Sequence, residues 1–83
     1  METKIIDILN SILLSKNKEI ITDLEEKVSL RNDLGFDSLD LATLSVRIED
    51  EFGIDIFEEK IIDKISELLT ILHNNEEFLG RSK

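Results

Sequence analysis

A serine, Ser38, stands where a polar loop gives way to an amphipathic helix, and this position makes its hydroxyl group chemically interesting. The loop ends at Gly35, Asp37 or Ser38 caps the helix, and the helical run of apolar residues begins at Leu39. The first turn of a helix presents backbone N–H groups that have no intrahelical partner, together with the positive end of the helix dipole. Both favour an anion, so Ser38 is predicted to be an attachment point for a phosphodiester.

Two segments near this serine carry a family resemblance. Residues 33–40 read D-L-G-F-D-S-L-D, and residues 48–56 read I-E-D-E-F-G-I-D-I. They resemble the acyl carrier protein family, which has D-L-G-x-D-S-L-D at its attachment site and L-E-E-E-F-G-I-E-I at the same distance beyond the serine. D-S-L alone is a weak signal, whereas both segments at this separation are a strong one. A weaker resemblance extends over about residues 5–72.

The resemblance implies a carrier function centred on Ser38. In that family the serine bears 4′-phosphopantetheine, transferred from coenzyme A by a phosphopantetheinyl transferase, and the terminal thiol holds an acyl group as a thioester. Asp37 and Leu39 are the flanking residues of the attachment motif. The implied partners are that transferase and the acyl-transfer and synthase enzymes of fatty-acid or related synthesis. The chain would therefore be a carrier without catalytic residues.

Composition narrows the class of partner. The 83 residues suffice for one small domain, and 19 acidic against 10 basic residues give a formal charge of −9. This charge argues against nucleic acid or an anionic membrane and favours basic docking patches on proteins. Cysteine is absent, which excludes disulfides and thiolate chemistry by the chain's own residues. No apolar run has the form of a signal peptide or a membrane span, so a cytoplasmic or organelle-matrix location is the default expectation. The protein is also expected to be a monomer.

Helical periodicity predicts the elements around this motif. Apolar residues predict a first helix from about Thr3 to Ser15 and a central helix from about Ser38 to Phe52. Residues 17–34 between them form a long connection pinned by scattered apolar anchors from Ile20 to Leu30. A hidden turn of helix is expected at residues 23–27, because long loops without their own elements are uncommon.

The second half is expected to hold two further helices. Residues 54–57 are read as an extended connector, residues 58–63 as a short third helix, and Ser66 as the cap of a fourth. The predicted fold is therefore an all-α four-helix bundle with a long first loop and a short third helix. Residues 1–75 would form the carrier domain, and residues 76–83 a frayed C-terminal tail.

A helical wheel of the central helix separates two apolar faces. The wider sector is predicted to face the core; it comprises Leu41, Leu44, Ser45, Ile48 and Phe52. The narrower strip is predicted to dock partners through apolar contacts, with neighbouring acids steering a basic surface. The predicted partner-binding residues are Leu39, Asp40, Ala42, Val46, Glu49 and Asp50.

The residues around Ser38 also bear on other functions. Asp33, Asp37 and Asp40 fail as a calcium loop because Gly35 occupies a ligand position, and no metal site is predicted. His73 lies near the end of another helix without an orienting third group, so a serine hydrolase is disfavoured. Three alternatives stay open: an aminoacyl or peptidyl carrier, an unmodified acidic helical adaptor, and a minimal serine hydrolase with Ser38 as its nucleophile.

Departures from the family pattern bear on the choice of partner. Thr43 stands where common fatty-acid carriers have glutamate, and Arg47 stands where they have an alanine-like residue. Ser45 replaces a branched aliphatic, Phe57 replaces a proline, and one extra residue lies near residues 60–62. The first two changes dilute the usual acidic face and predict a dedicated set of partner enzymes.

Overall fold

The computed structural model describes residues 2–57 and 62–82, with side chains for residues 2–57 and 62–74. Within these residues the regular structure is helical, and an isolated antiparallel bridge between Ser29 and Lys64 is the one β-type pairing. The predicted all-α class is confirmed. The described helices are α1 (Glu2–Ser15), α2 (Ser38–Phe52) and α3 (Ile65–Ser82).

The predicted count of four helices is not confirmed, because the described residues form three. The expected short third helix falls mainly on residues 58–61, which lie outside the described residues, and Ile62 and Asp63 are not helical. The expected fourth helix is α3, which begins one residue before Ser66. Ser66 is therefore inside the first turn and does not cap it. The α3 backbone is helical to Ser82, and the division at residue 75 stays a prediction.

Helices α1 and α2 pack against each other in antiparallel fashion. Lys4 near the start of α1 pairs with Glu51 near the end of α2, at 2.6 Å between Nζ and Oε1. Lys16, just beyond α1, pairs with Asp40 in the first turn of α2 at 2.7 Å. Since each pair joins opposite ends of the two helices, the directions must oppose. The side of α1 that faces the core buries Ile5, Leu9, Ile12 and Leu13, at the i, i+4, i+7, i+8 spacing of one helical face.

Helix α2 buries the face that the wheel predicted. Leu41, Leu44 and Ile48 are buried, while Ser45 and Phe52 at the edge of the sector are half-buried. The helix ends at Gly53, whose φ of +72° is the left-handed conformation typical of helix C-termini. The N–H of Gly53 donates to the carbonyl of Glu49 at 2.7 Å, which closes the last turn.

The long loop between α1 and α2 contains no helix. Its segment 23–27, where a helical turn was expected, forms only a turn in which the N–H of Val28 donates to the carbonyl of Glu25 at 3.1 Å. The amide of Asn10 in α1 holds the loop by bonding both backbone groups of Ile21, at 2.8 and 2.9 Å. Ile20, an expected anchor, is instead 53% exposed. The apolar loop residues that do lie in or against the core are Ile21, Leu24, Val28, Leu30, Leu34 and Phe36.

A polar tie joins this loop to the segment that precedes α3. The buried Ser29 hydroxyl donates to the Asp63 carboxylate at 2.8 Å and accepts the N–H of Asn32 at 3.0 Å. The N–H of Leu30 donates to the carbonyl of Asp63 at 2.8 Å, and the N–H of Arg31 reaches the Asp63 carboxylate at 3.3 Å. These bonds fix the backbone at residues 29–32, which lies across from the start of α2.

Candidate functional site

The turn before α2 is shaped by the first half of residues 33–40, the eight residues of the attachment-like motif, called the octet below. Asp33 accepts the N–H of Ser29 at 2.7 Å and donates its own N–H to the carbonyl of Ser29 at 2.9 Å. Leu34 and Phe36 are buried and anchor the turn to the core. Gly35 between them has a φ of +72°, which disfavours any residue with a Cβ, and the Lys18 side chain lies over it.

Asp37, and not Ser38, is the N-cap of α2. Its Oδ1 accepts the N–H of Asp40 at 2.9 Å, while Oδ2 of Asp40 accepts the N–H of Asp37 at 3.0 Å. This reciprocal pair is a capping box, and a single cap of this kind stabilises a helix by about 0.5–2 kcal/mol. The sequence left both residues open as the cap, and the structure assigns that role to Asp37 alone.

Ser38 is consequently the first helical residue, exposed, with a hydroxyl that makes no hydrogen bond to any other described residue. The N–H groups of Ser38 and Leu39 likewise have no acceptor within the described chain. Six residues of the octet therefore shape or cap the turn, and two do not. The two are Ser38 and Leu39, and the Leu39 side chain is 75% exposed.

The start of α3 makes a useful contrast, because it also has a serine in its first turn. There the N–H of Ile65 donates to the carbonyl of Val28, and that of Ser66 donates to the carbonyl of Glu26, each at 3.0 Å. The Glu67 carboxylate accepts the N–H of Lys64 at 3.1 Å. The start of α3 is thus occupied by the chain's own loop, whereas the first turn of α2 faces solvent.

A cleft of about 230 Å³ opens beside the serine. Its described lining combines one cation, one hydroxyl and three apolar side chains: Arg31, Ser38, Leu41, Ala42 and Phe57. Pockets that enclose a whole drug-sized ligand measure about 300–1,000 Å³. This cleft is smaller, so it suits one segment of a linear group better than an enclosed substrate.

A protein-family model described as a phosphopantetheine attachment site matches residues 4–73. The chain belongs to this family of carrier proteins. The family is non-catalytic and binds the prosthetic group 4′-phosphopantetheine, so the chain is a carrier and not an enzyme. Phosphopantetheinyl transferases and synthase enzymes are the general partners of such carriers. No solved structure gives a significant match to the chain.

The residues of this carrier fit the prosthetic group. Ser38 offers an exposed hydroxyl, and the N–H groups of Ser38 and Leu39 can donate to phosphate oxygens; none of the three has a hydrogen-bond partner among the described residues. When bound, 4′-phosphopantetheine supplies a terminal thiol, which the cysteine-free chain cannot provide itself. The residues that would hold it are Ser38 through its oxygen and the first turn of α2 through its backbone.

Lys16 favours the ionised form of Asp40 in the capping box. Burial acts to raise the pKa of Asp40, but the hydrogen bond from Lys16, the N–H of Asp37 and the positive charge of Lys16 together lower it below its ordinary value. The same hydrogen bond raises the pKa of Lys16. Asp40, whose side chain is 14% exposed, therefore stays ionised and engaged within the chain. Its predicted role in partner binding stays a prediction.

The second apolar strip of α2 lies in solvent, as the wheel indicated. Leu39 and Val46 are 75% and 66% exposed, and Ala42 between them is exposed as well. Of the four acids in α2, Asp40 and Glu51 form ion pairs with lysines of the α1 region. Glu49 and Asp50 are exposed and form no ion pair within the described residues. These two acids are the ones available to a partner.

The structure shows where His73 and the acids near Ser38 lie. His73 is exposed on α3 and lines a different cleft, with Leu24 and Glu2. Among the described residues no cluster of His, Asp and Glu could hold a metal ion, and no helix is long and apolar enough to cross a membrane. Asp33 and Asp37 are committed to backbone N–H groups near Ser38.

Two cations, one bound to the capping box and one lining the serine's cleft, were not predicted from the sequence. Lys16 reaches the capping box from beyond α1, and Arg31 lines the serine's cleft from the loop. Neither belongs to a motif or to a helical face, so periodicity carries no signal for them. One weak indication existed for Arg31, since a base two residues before an acidic turn stands out in a chain with few bases.

Proposed function

We propose that Ser38 is the attachment residue and that the carrier holds acyl intermediates as thioesters for enzymes of fatty-acid or related lipid or polyketide-like synthesis. One observation carries the proposal. Ser38 presents an exposed hydroxyl without a hydrogen-bond partner among the described residues, at the open start of α2 and inside the attachment-like octet. The equivalent serine of α3 sits in a first turn whose N–H groups are already occupied.

The described residues contribute a nucleophile, the Ser38 hydroxyl, and place no free base beside it. In the loading step the Ser38 hydroxyl loses its proton, its oxygen forms the phosphoester bond, and the remainder of coenzyme A leaves with the electrons of the broken phosphorus–oxygen bond. No described histidine lies in the serine's cleft. The carboxylate of Asp37, which precedes the serine, is engaged: its Oδ1 accepts the N–H of Asp40, and its Oδ2 lies 3.9 Å from Nζ of Lys16. The transferase must therefore supply the base.

Docking is proposed to use the outer face of α2. The exposed Leu39, Ala42 and Val46 would supply apolar contact area, and the unpaired Glu49 and Asp50 would steer basic partners. This face is continuous with Ser38, which precedes Leu39. A partner that grips the strip therefore has the attachment residue at its edge.

A dedicated partner set is proposed on the basis of two residues of the same helix. Arg47 is exposed and lies close to the acids of the face, while the Thr43 hydroxyl donates to the carbonyl of Leu39 at 3.0 Å and offers no charge. A cation among docking acids repels the basic patch of an ordinary fatty-acid synthase. In a generic fatty-acid elongation system the loaded protein should be a poor substrate. Thr43→Glu with Arg47→Ala should improve it, and equal use of both forms would refute the dedicated set.

Intact mass spectrometry tests the carrier proposal. Incubation with coenzyme A and a broad-specificity transferase should add one phosphopantetheine, after which acyl loading should add a mass that hydroxylamine removes, as expected of a thioester. An adaptor would gain no mass. A hydrolase would gain none either and would turn over an activated ester.

A further inference from the structure

The guanidinium of Arg31 is a cation without an ion pair in the described chain, beside the residue that is to become anionic. Five of the seven bases with described side chains form no ion pair among the described residues: Lys18, Lys27, Arg31, Arg47 and Lys64. Arg31 differs from the other four by its place, because it lines the Ser38 cleft. An exposed arginine at that position is open to an incoming anion.

The backbone that carries Arg31 is held in place. The N–H of Arg31 bonds the Asp63 carboxylate, and the N–H groups of its two neighbours bond the Asp63 carbonyl and the Ser29 hydroxyl. Ser29 itself is buried and bonded to the same Asp63 carboxylate. The arginine therefore projects from a fixed backbone and loses little freedom beyond that of its own side chain.

Charge makes this arginine useful once the serine is modified. The added phosphodiester places a permanent negative charge next to the exposed carboxylate of Asp37, which costs free energy through like-charge repulsion. Lys16 lies 2.7 Å from Asp40 and 3.9 Å from Asp37, so it is already engaged by these two carboxylates. Arg31 is the cation in the described lining of the cleft that remains to offset the repulsion.

The rest of the cleft suits the part of the 4′-phosphopantetheine arm that follows its phosphate. Leu41, Ala42 and Phe57 provide an apolar wall beyond the cation and the serine. The first part of 4′-phosphopantetheine has the same order, because its phosphate is joined through a methylene group to a carbon bearing two methyl groups. A linear group tethered at Ser38 thus meets a positive charge first and an apolar surface next.

We propose that Arg31 binds the phosphodiester of the arm and that the Leu41, Ala42 and Phe57 wall receives its dimethyl segment. The phosphate end of the arm is thereby bound in the cleft, while its thiol end stays free to carry an acyl group. Arg31 is a positioning residue, since it touches the prosthetic group and takes no part in bond making. The inference rests on the proposed attachment to Ser38.

The test compares Arg31→Gln with Arg47→Gln, an equal charge change at another exposed arginine, outside the described lining of the cleft. For wild type and each variant, thermal melts are recorded at low salt for the unmodified (apo) form and for the fully phosphopantetheinylated form, here called the loaded form. The ³¹P signal of each loaded form is also recorded. The melting temperature of the loaded form relative to the apo form should fall by about 2–5 °C in Arg31→Gln compared with wild type. The ³¹P signal should shift in that variant, and Arg31→Lys should restore part of both effects.

Arg47→Gln should leave both quantities at their wild-type values. The inference is overturned if Arg31→Gln also matches wild type, or if Arg47→Gln changes both readouts equally, since that would be an effect of net charge. A further readout is the pair of methyl proton signals of the arm, which the Phe57 ring should shift and Phe57→Leu should return toward free values. Failure of the underlying attachment is distinguishable, because wild type would then acquire neither mass nor a ³¹P signal.

Discussion

Helix α2 carries two apolar faces made of similar residues; the inner face is buried and the outer face is exposed to solvent. Leu41, Leu44 and Ile48 on the inner face are buried. On the outer face, Leu39 and Val46 are 75% and 66% exposed, a cost in hydration that the fold alone does not explain. The inner face holds the helix on α1 and the core, and the outer face adjoins Ser38. Apolar side chains on one helix are therefore divided between folding and recognition.

The comparison predicts that a charge on the two faces has different consequences. Ile48→Asp buries an unpaired carboxylate in the core and should cost more than about 4 kcal/mol, enough to unfold a domain of this size. Val46→Asp places the same carboxylate in solvent and should leave the melting temperature nearly unchanged while slowing loading by the transferase. Circular dichroism melts and loading assays measure both. Equal collapse of the two variants would show that the outer strip is part of the core.

The capping box lies where the two faces begin, and its loss should have an intermediate effect. Asp37→Ala removes the acceptor for the N–H of Asp40 and should destabilise the fold by about 0.5–2 kcal/mol in urea denaturation. Asp50→Ala removes an exposed carboxylate of the same helix with no hydrogen bond in the described chain, and it should stay within about 0.5 kcal/mol of wild type. If Asp37→Ala destabilised the fold no more than Asp50→Ala does, Asp37 would not act as a stabilising N-cap.

The acids of the outer face should affect rate and leave stability alone. Glu49→Gln with Asp50→Asn should slow loading at low salt by about two- to tenfold, because exposed charges steer association, and added salt should narrow the gap. Glu19→Gln with Asp23→Asn removes the same charge from the long loop and serves as the control. If the loop variant slows as much, only net charge matters and the outer face has no special part in docking.

The smallest effect concerns pH. The pKa of Asp40 is lowered in the folded state, so its contribution to stability is present above the ordinary aspartate pKa and is lost as pH falls through the lower folded value. Asp40→Asn should therefore reduce stability at neutral pH by less than about 1 kcal/mol, as expected of a pair near the surface, and should reduce the stability difference between about pH 6 and about pH 2.5. An unchanged acid dependence would mean that Asp40 has no shifted pKa.

Much of this comparison could be predicted from the sequence, because local rules determine it. A period of about 3.6 residues defined the bounds of α2 and separated Leu41 and Ile48 from Val46. The octet likewise indicated a helix start with Ser38 beside it. The choice of Asp37 as cap was not predictable, since aspartate and serine are about equally good N-caps.

The long loop and the start of α3 escaped prediction for a different reason. The segment 23–27 lacks a helix because long-range hydrogen bonds hold the loop: Asn10 bonds Ile21, and the carbonyls of Val28 and Glu26 accept N–H groups from the start of α3. The loop carbonyls of Val28 and Glu26 thus accept the first N–H groups of α3, so the Ser66 side chain does not cap this helix. Lys16 and Arg31 reach the site from either end of this loop, and sequence spacing says nothing about such tertiary approaches.

The two serines in the first turns of α2 and α3 allow a direct test of whether Ser38 is the attachment residue. Ser38→Ala and Ser66→Ala are each treated with coenzyme A and a broad-specificity transferase, and intact mass is measured after their helical circular dichroism has been checked. We expect Ser66→Ala to gain one phosphopantetheine like wild type, whereas Ser38→Ala should stay folded and gain none. Loading of Ser38→Ala at the wild-type level would contradict this expectation.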